Sequence, residues 1–82
     1  MIYMWWLYVE VFESAEHIIY CYSTESEDLD GVIVYDKKTE EWKVTCPCKA
    51  DQGNEWCVFK SEEKFRHVVE EGFPDRRRVV IG

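Results

Sequence analysis

Cys46-Pro47-Cys48 sets two thiols one residue apart, and Cys57 follows after a loop that contains Gly53-Asn54. Thiolates hold soft cations, so Cys46, Cys48 and Cys57 are candidate zinc ligands, with a fourth to come from Cys21, His17 or His67. Structural zinc sites usually leave two to four residues between paired cysteines, and no second pair follows here. Zinc or another soft metal is therefore the alternative reading, and free thiols are the first. Thiol redox chemistry needs a lowered pKa, which the neighbouring acids Asp51 and Glu55 oppose.

The remaining chemistry-bearing residues are scattered. His67 falls nearly opposite an apolar stripe, beside Arg66, Glu70 and Glu71, and reads as a surface histidine. His17 stands alone at a hairpin corner. The acids Glu25, Glu27, Asp28 and Asp30 alternate like an oxygen cage, but the Gly and Glu of a helix-loop-helix calcium loop do not fall in place, so a solvated loop is expected. Arg76-Arg77-Arg78 follows Asp75 and reads as a charged strand entrance that blunts a sheet edge. The four glycines, at 31, 53, 72 and 82, form no phosphate-cradling loop. No catalytic arrangement is expected.

With 82 residues, 17 acids against 10 bases and a formal charge of −7, the chain suits one domain that avoids phosphate backbones and anionic lipid. Neither nucleic acid nor membrane is an expected partner. The apolar run from Met1 to Val9 has no basic leader and meets Glu10 too soon to be a signal peptide or a spanning helix. Four free cysteines and no export signal suggest a cytoplasmic location.

The elements that must position these residues follow from periodicity. Ile2 to Phe12 and His17 to Ser23 are β-branched and aromatic, broken by Ser14-Ala15-Glu16, and predict an antiparallel hairpin. Gly31 opens Val32 to Tyr35, and Glu41 to Cys46 alternates cleanly, with Trp42, Val44 and Cys46 on one face, predicting a second hairpin. Pro47 ends it. Glu55 to Lys60 reads as a short strand or an approach to a helix capped by Ser61, with Phe65, Val68 and Val69 as its stripe. Gly72, Phe73 and Pro74 end that helix, and Arg77 to Ile81 forms a last strand. The predicted class is α+β: a small antiparallel sheet with one C-terminal helix, order ββββαβ, with a partly closed barrel left open.

Three of these strands are apolar on both faces, whereas a sheet covered on one side normally alternates apolar with polar. A short helix covers part of one face. The second must be covered by barrel closure, by the 47–60 segment or by another chain. The expected function is a small acidic non-enzymatic interaction module, a homodimer or a binder of a protein with basic surface. Its expected contact residues are the aromatics Tyr3, Trp5, Trp6, Tyr8, Tyr20 and Tyr22.

Overall fold

The Ser14 hydroxyl accepts hydrogen bonds from the Glu16 and His17 amides at 3.2 and 3.1 Å. This turn folds strand β1 (Met4–Glu13) back on β2 (His17–Thr24). The computed structural model describes residues 4–81, so Tyr3 lies outside the described residues. Asp36 closes the next hairpin, between β3 (Gly31–Asp36) and β4 (Glu41–Cys46), by accepting the Lys38 and Thr39 amides at 2.8 and 3.2 Å. Those two amide bonds are the main reason its carboxyl is held below the ordinary range. Strand β5 (Arg76–Ile81) returns along the free side of β1. The sheet is antiparallel throughout, in the order β4-β3-β2-β1-β5, and the element order ββββαβ is the expected one. Its end strands do not meet, so the barrel left open by the sequence is not formed.

The helical region starts earlier than predicted. A short 3-10 turn at Lys49–Asp51 leads to α1 (Glu55–Lys64), and Phe65 separates α1 from α2 (Arg66–Glu70). Asn54 is the cap, its side chain accepting the Cys57 amide at 3.2 Å. Ser61, expected at that position, is fully buried within α1. The inward stripe is Val58, Ser61, Phe65 and Val68, and the serine interrupts its apolar reading. Trp56 and Phe59 point outward, 59% and 58% exposed, where a periodicity argument expects polar residues. The C-terminal end is as predicted. Gly72 adopts a left-handed conformation with φ 80°, and Phe73 donates its amide to the Val68 carbonyl at 2.9 Å. The Phe73 ring then packs 4.7 Å from that of Tyr35.

Both helices and the 3-10 turn cover one face of the sheet, called here the inner face. Trp6, Tyr8, Tyr20, Tyr22, Ile33 and Phe65 are wholly buried there. Phe65 meets Tyr8 and Tyr20 edge-on at 5.4 and 5.1 Å, and such pairs add about 0.5–1.5 kcal/mol each beyond area burial. The layers approach closely at Gly31, where a Cβ would stand 2.3 Å from the Tyr22 ring and 2.8 Å from the Cys48 amide nitrogen. At the β4 edge the Val44 amide donates to the Glu62 carboxylate at 2.9 Å, and the Trp42 indole donates to the Glu62 carbonyl at 2.7 Å. Helix α1 thereby covers the middle of that edge.

Candidate interaction face

Strand alternation leaves a second set of side chains on the outer face, and the registers place them in rows. Arg76, Val9, Cys21 and Val32 lie across β5, β1, β2 and β3, and Phe12, Ile19, Val34 and Lys43 lie across β1 to β4. Val9, Ile19, Cys21, Val32 and Val34 are half-buried by their neighbours, while Phe12 and Val80 are 53% and 54% exposed. Among the described residues no helix crosses this side.

One end of the face is covered by its own chain. Glu27 in the 25–30 loop reaches Arg76 at 3.7 Å and Arg78 at 3.9 Å, and Leu7, which pairs with Arg78, is only 1% exposed. The Arg78 guanidinium lies 4.5 Å from the centre of the Trp5 ring, a cation–π contact that half-buries Trp5. The opposite end carries His17, Asp36 and Glu41 in one row. A cavity of about 570 Å³ opens there, lined among others by Val34, Asp36, Glu41, Trp42 and Lys43.

The expected contact residues are mostly elsewhere. Trp6, Tyr8, Tyr20 and Tyr22 are sealed beneath the helices and present no surface, and among the described ones only Trp5 stands on the outer face. The reason is that each buried aromatic finds a partner for its polar tip inside. The Trp6 indole donates to Ser61 Oγ at 3.1 Å, Tyr8 to the Ser61 carbonyl at 2.8 Å, and Tyr20 to the Pro74 carbonyl at 2.5 Å. Burial pushes all three tyrosine hydroxyls, Tyr8, Tyr20 and Tyr22, well above their ordinary pKa. The open surface is aliphatic, built from Val9, Ile19, Val32 and Val34. Its signal in the sequence is the two-sided apolar pattern of the first three strands.

The cysteines also separate. Cys46, expected on the dry face with Trp42 and Val44, lies on the outer one. A bulge shifts the β3–β4 register between Val32 and Ile33, so Cys46 pairs with Val32 while Val44 pairs with Ile33. Cys48 is buried under the 3-10 turn, and Cys57 sits in the first turn of α1. All four cysteines are free, and among the described residues no group of three or more His, Cys, Asp or Glu is placed to hold a metal ion.

The polar cluster that sequence reasoning missed is buried around Asp51, 1% exposed. Its carboxylate accepts three hydroxyl protons, from Tyr22 at 2.9 Å, Thr24 at 3.1 Å and Ser61 at 2.5 Å. Each hydroxyl accepts a further bond in turn: Tyr22 from the Cys48 amide, Thr24 from the Cys48 thiol and Ser61 from the Trp6 indole. With its one proton given to Asp51, each hydroxyl is satisfied by this arrangement, and no described buried side-chain polar atom is left unpartnered. The network ties the 3-10 turn and α1 to β2. Ser61 spends its proton on the carboxylate within a closed core, which makes it a structural group rather than a nucleophile.

Among the described residues no helix is long and apolar enough to cross a membrane. The chain matches no protein-family model, no curated protein and no solved structure.

Proposed function

We propose that this chain is a non-enzymatic protein-interaction module whose contact surface is the outer face of its sheet. One observation carries the reading: Val9, Ile19, Cys21, Val32 and Val34 form a contiguous apolar surface that no helix among the described residues covers. Contiguous apolar surface beyond a few hundred Å² on a folded domain marks contact with another molecule. The polar groups near it, Asp36, Glu41, Arg76 and Arg78, stand at its corners, the rim arrangement that protein interfaces use. Four free cysteines fit a reducing compartment such as the cytoplasm.

The test is uptake of a neutral apolar dye such as Nile red, measured on protein diluted until sedimentation reports monomer. The wild-type monomer is expected to bind the dye. Ile19→Lys and Val34→Lys variants are expected to bind far less while melting within about 5 °C of the wild type, because neither side chain supports the inner core. A wild-type monomer that takes up no dye would mean the face is closed by its own chain, and the reading would fall.

A further inference from the structure

We propose that the occupant of the outer face is a second copy of this chain, packed sheet against sheet with the strands of the two copies crossing near 90°. The proposal rests on the reading of that face as a contact surface and adds its partner and its geometry.

The charge distribution on the face is self-complementary along one diagonal. At the β5 side stand Arg76 and Arg78, both about half-exposed and sharing the single carboxylate of Glu27, which leaves one positive charge uncompensated. At the β3–β4 corner stand Asp36 and Glu41, with Lys43 the one Lys or Arg on the outer rows of those two strands, which leaves one negative charge. The corners are three to four strands apart, about 14–19 Å, and four to six residues apart along the strands, about 13–20 Å. The line joining them therefore runs at about 45° to the strands.

A two-fold axis in the plane of the interface, perpendicular to that line, carries each corner onto its opposite. The Arg76–Arg78 corner of each copy then meets the Asp36–Glu41 corner of the other, twice, as an isologous contact requires. An axis at 45° to the strands also turns one set of strands about 90° from the other, which is one of the two ways sheets pack face to face. The acidic corner carries a cavity of about 570 Å³ lined among others by Val34, Asp36, Glu41 and Lys43, so an incoming guanidinium meets two carboxylates beside a single ammonium. The rest of the face supplies Val9, Ile19, Val32 and Val34 to the dry centre.

The area fits a dimer that exchanges. Five strands side by side span about 24 Å, and the rows left open by the 25–30 loop run about 20 Å, giving about 500 Å² per copy and about 1,000 Å² for the pair. That is the lower limit for a specific interface and the size class of weak, transient contacts. The net charge of −7 does not forbid it. Glu55, Glu63 and Glu70 lie on the helices, on the other side of the sheet, and repulsion between exposed charges is screened beyond about 8 Å at physiological salt.

The experiment is a charge-swap pair followed by sedimentation equilibrium. One variant carries Arg76→Glu and Arg78→Glu, the other Asp36→Lys and Glu41→Lys. Because Asp36 also closes the 36–40 turn, the single Glu41→Lys change replaces the second double if far-UV circular dichroism shows it unfolded. The wild type is expected to dimerise below millimolar concentration. Each variant alone presents like charges at both contacts and is expected to dimerise at least tenfold more weakly, and an equimolar mixture is expected to restore a heterodimer. A wild type that stays monomeric to millimolar concentration while still binding Nile red would overturn the second-copy assignment and leave the contact-face reading standing. A wild-type dimer whose swapped variants show no rescue on mixing would overturn the diagonal arrangement.

Discussion

Along the same strands, Trp6, Tyr8, Tyr20 and Tyr22 point to the inner face and are sealed, while Val9, Ile19, Val32 and Val34 point to the outer face and stay half-exposed. The two sets differ in what they need from their surroundings. Each inner aromatic carries an N–H or O–H that must have a partner once water is gone, and each has one: Ser61, Pro74 or Asp51. A permanent cover with fixed polar positions is what such side chains require. The outer aliphatics carry no polar atom, so a partner can arrive and leave without orphaning a hydrogen bond. The aromatic face is suited to one lifelong contact and the aliphatic face to a reversible one.

That contrast is broken or sharpened by a short series of changes. The largest effect is expected for Phe65→Ala, which empties the junction with Tyr8 and Tyr20 and should cost about 3–5 kcal/mol in urea unfolding. The matching outer change, Ile19→Ala, should cost less, about 1–2 kcal/mol, since part of its surface is already wet. Equal costs would show that the two faces are equally structural. Asp51→Ala comes next, at about 3 kcal/mol, because the Tyr22, Thr24 and Ser61 hydroxyls lose their common acceptor. A near-neutral result would mean that water replaces the carboxylate.

The smallest effect is a pH dependence. The folded pKa values of Tyr8, Tyr20 and Tyr22 lie above the ordinary value near 10, so the stability they contribute is intact below about pH 10 and falls as pH rises toward those folded values. Tyrosinate absorbance for these three should therefore appear together with loss of the circular dichroism signal. Ionisation that precedes unfolding would place their hydroxyls in contact with water.

Sequence periodicity carried the strands because their alternation is local: Trp42 and Val44 face inward as the pattern requires, and Ser14 and Asp36 mark the turns. It lost Cys46 at a bulge, a one-residue insertion with no compositional mark. It started the helix seven residues late because Ser61, a buried polar residue, looks like a cap when its indole and carboxylate partners are not in view. Two apolar faces were legible by counting. Which face the helices would take was not, since that depends on the distant partners of the aromatic tips, Ser61 being 55 residues from Trp6.

The bond from the Val44 amide to Glu62 has a consequence for polymerisation. A sheet with two bare edges can add copies at both and grow without limit. Here a helix carboxylate already holds one edge amide of β4, so a strand arriving there finds that donor taken. A copy adding to β4 would therefore have to break the Val44–Glu62 bond before its own strand could pair in full.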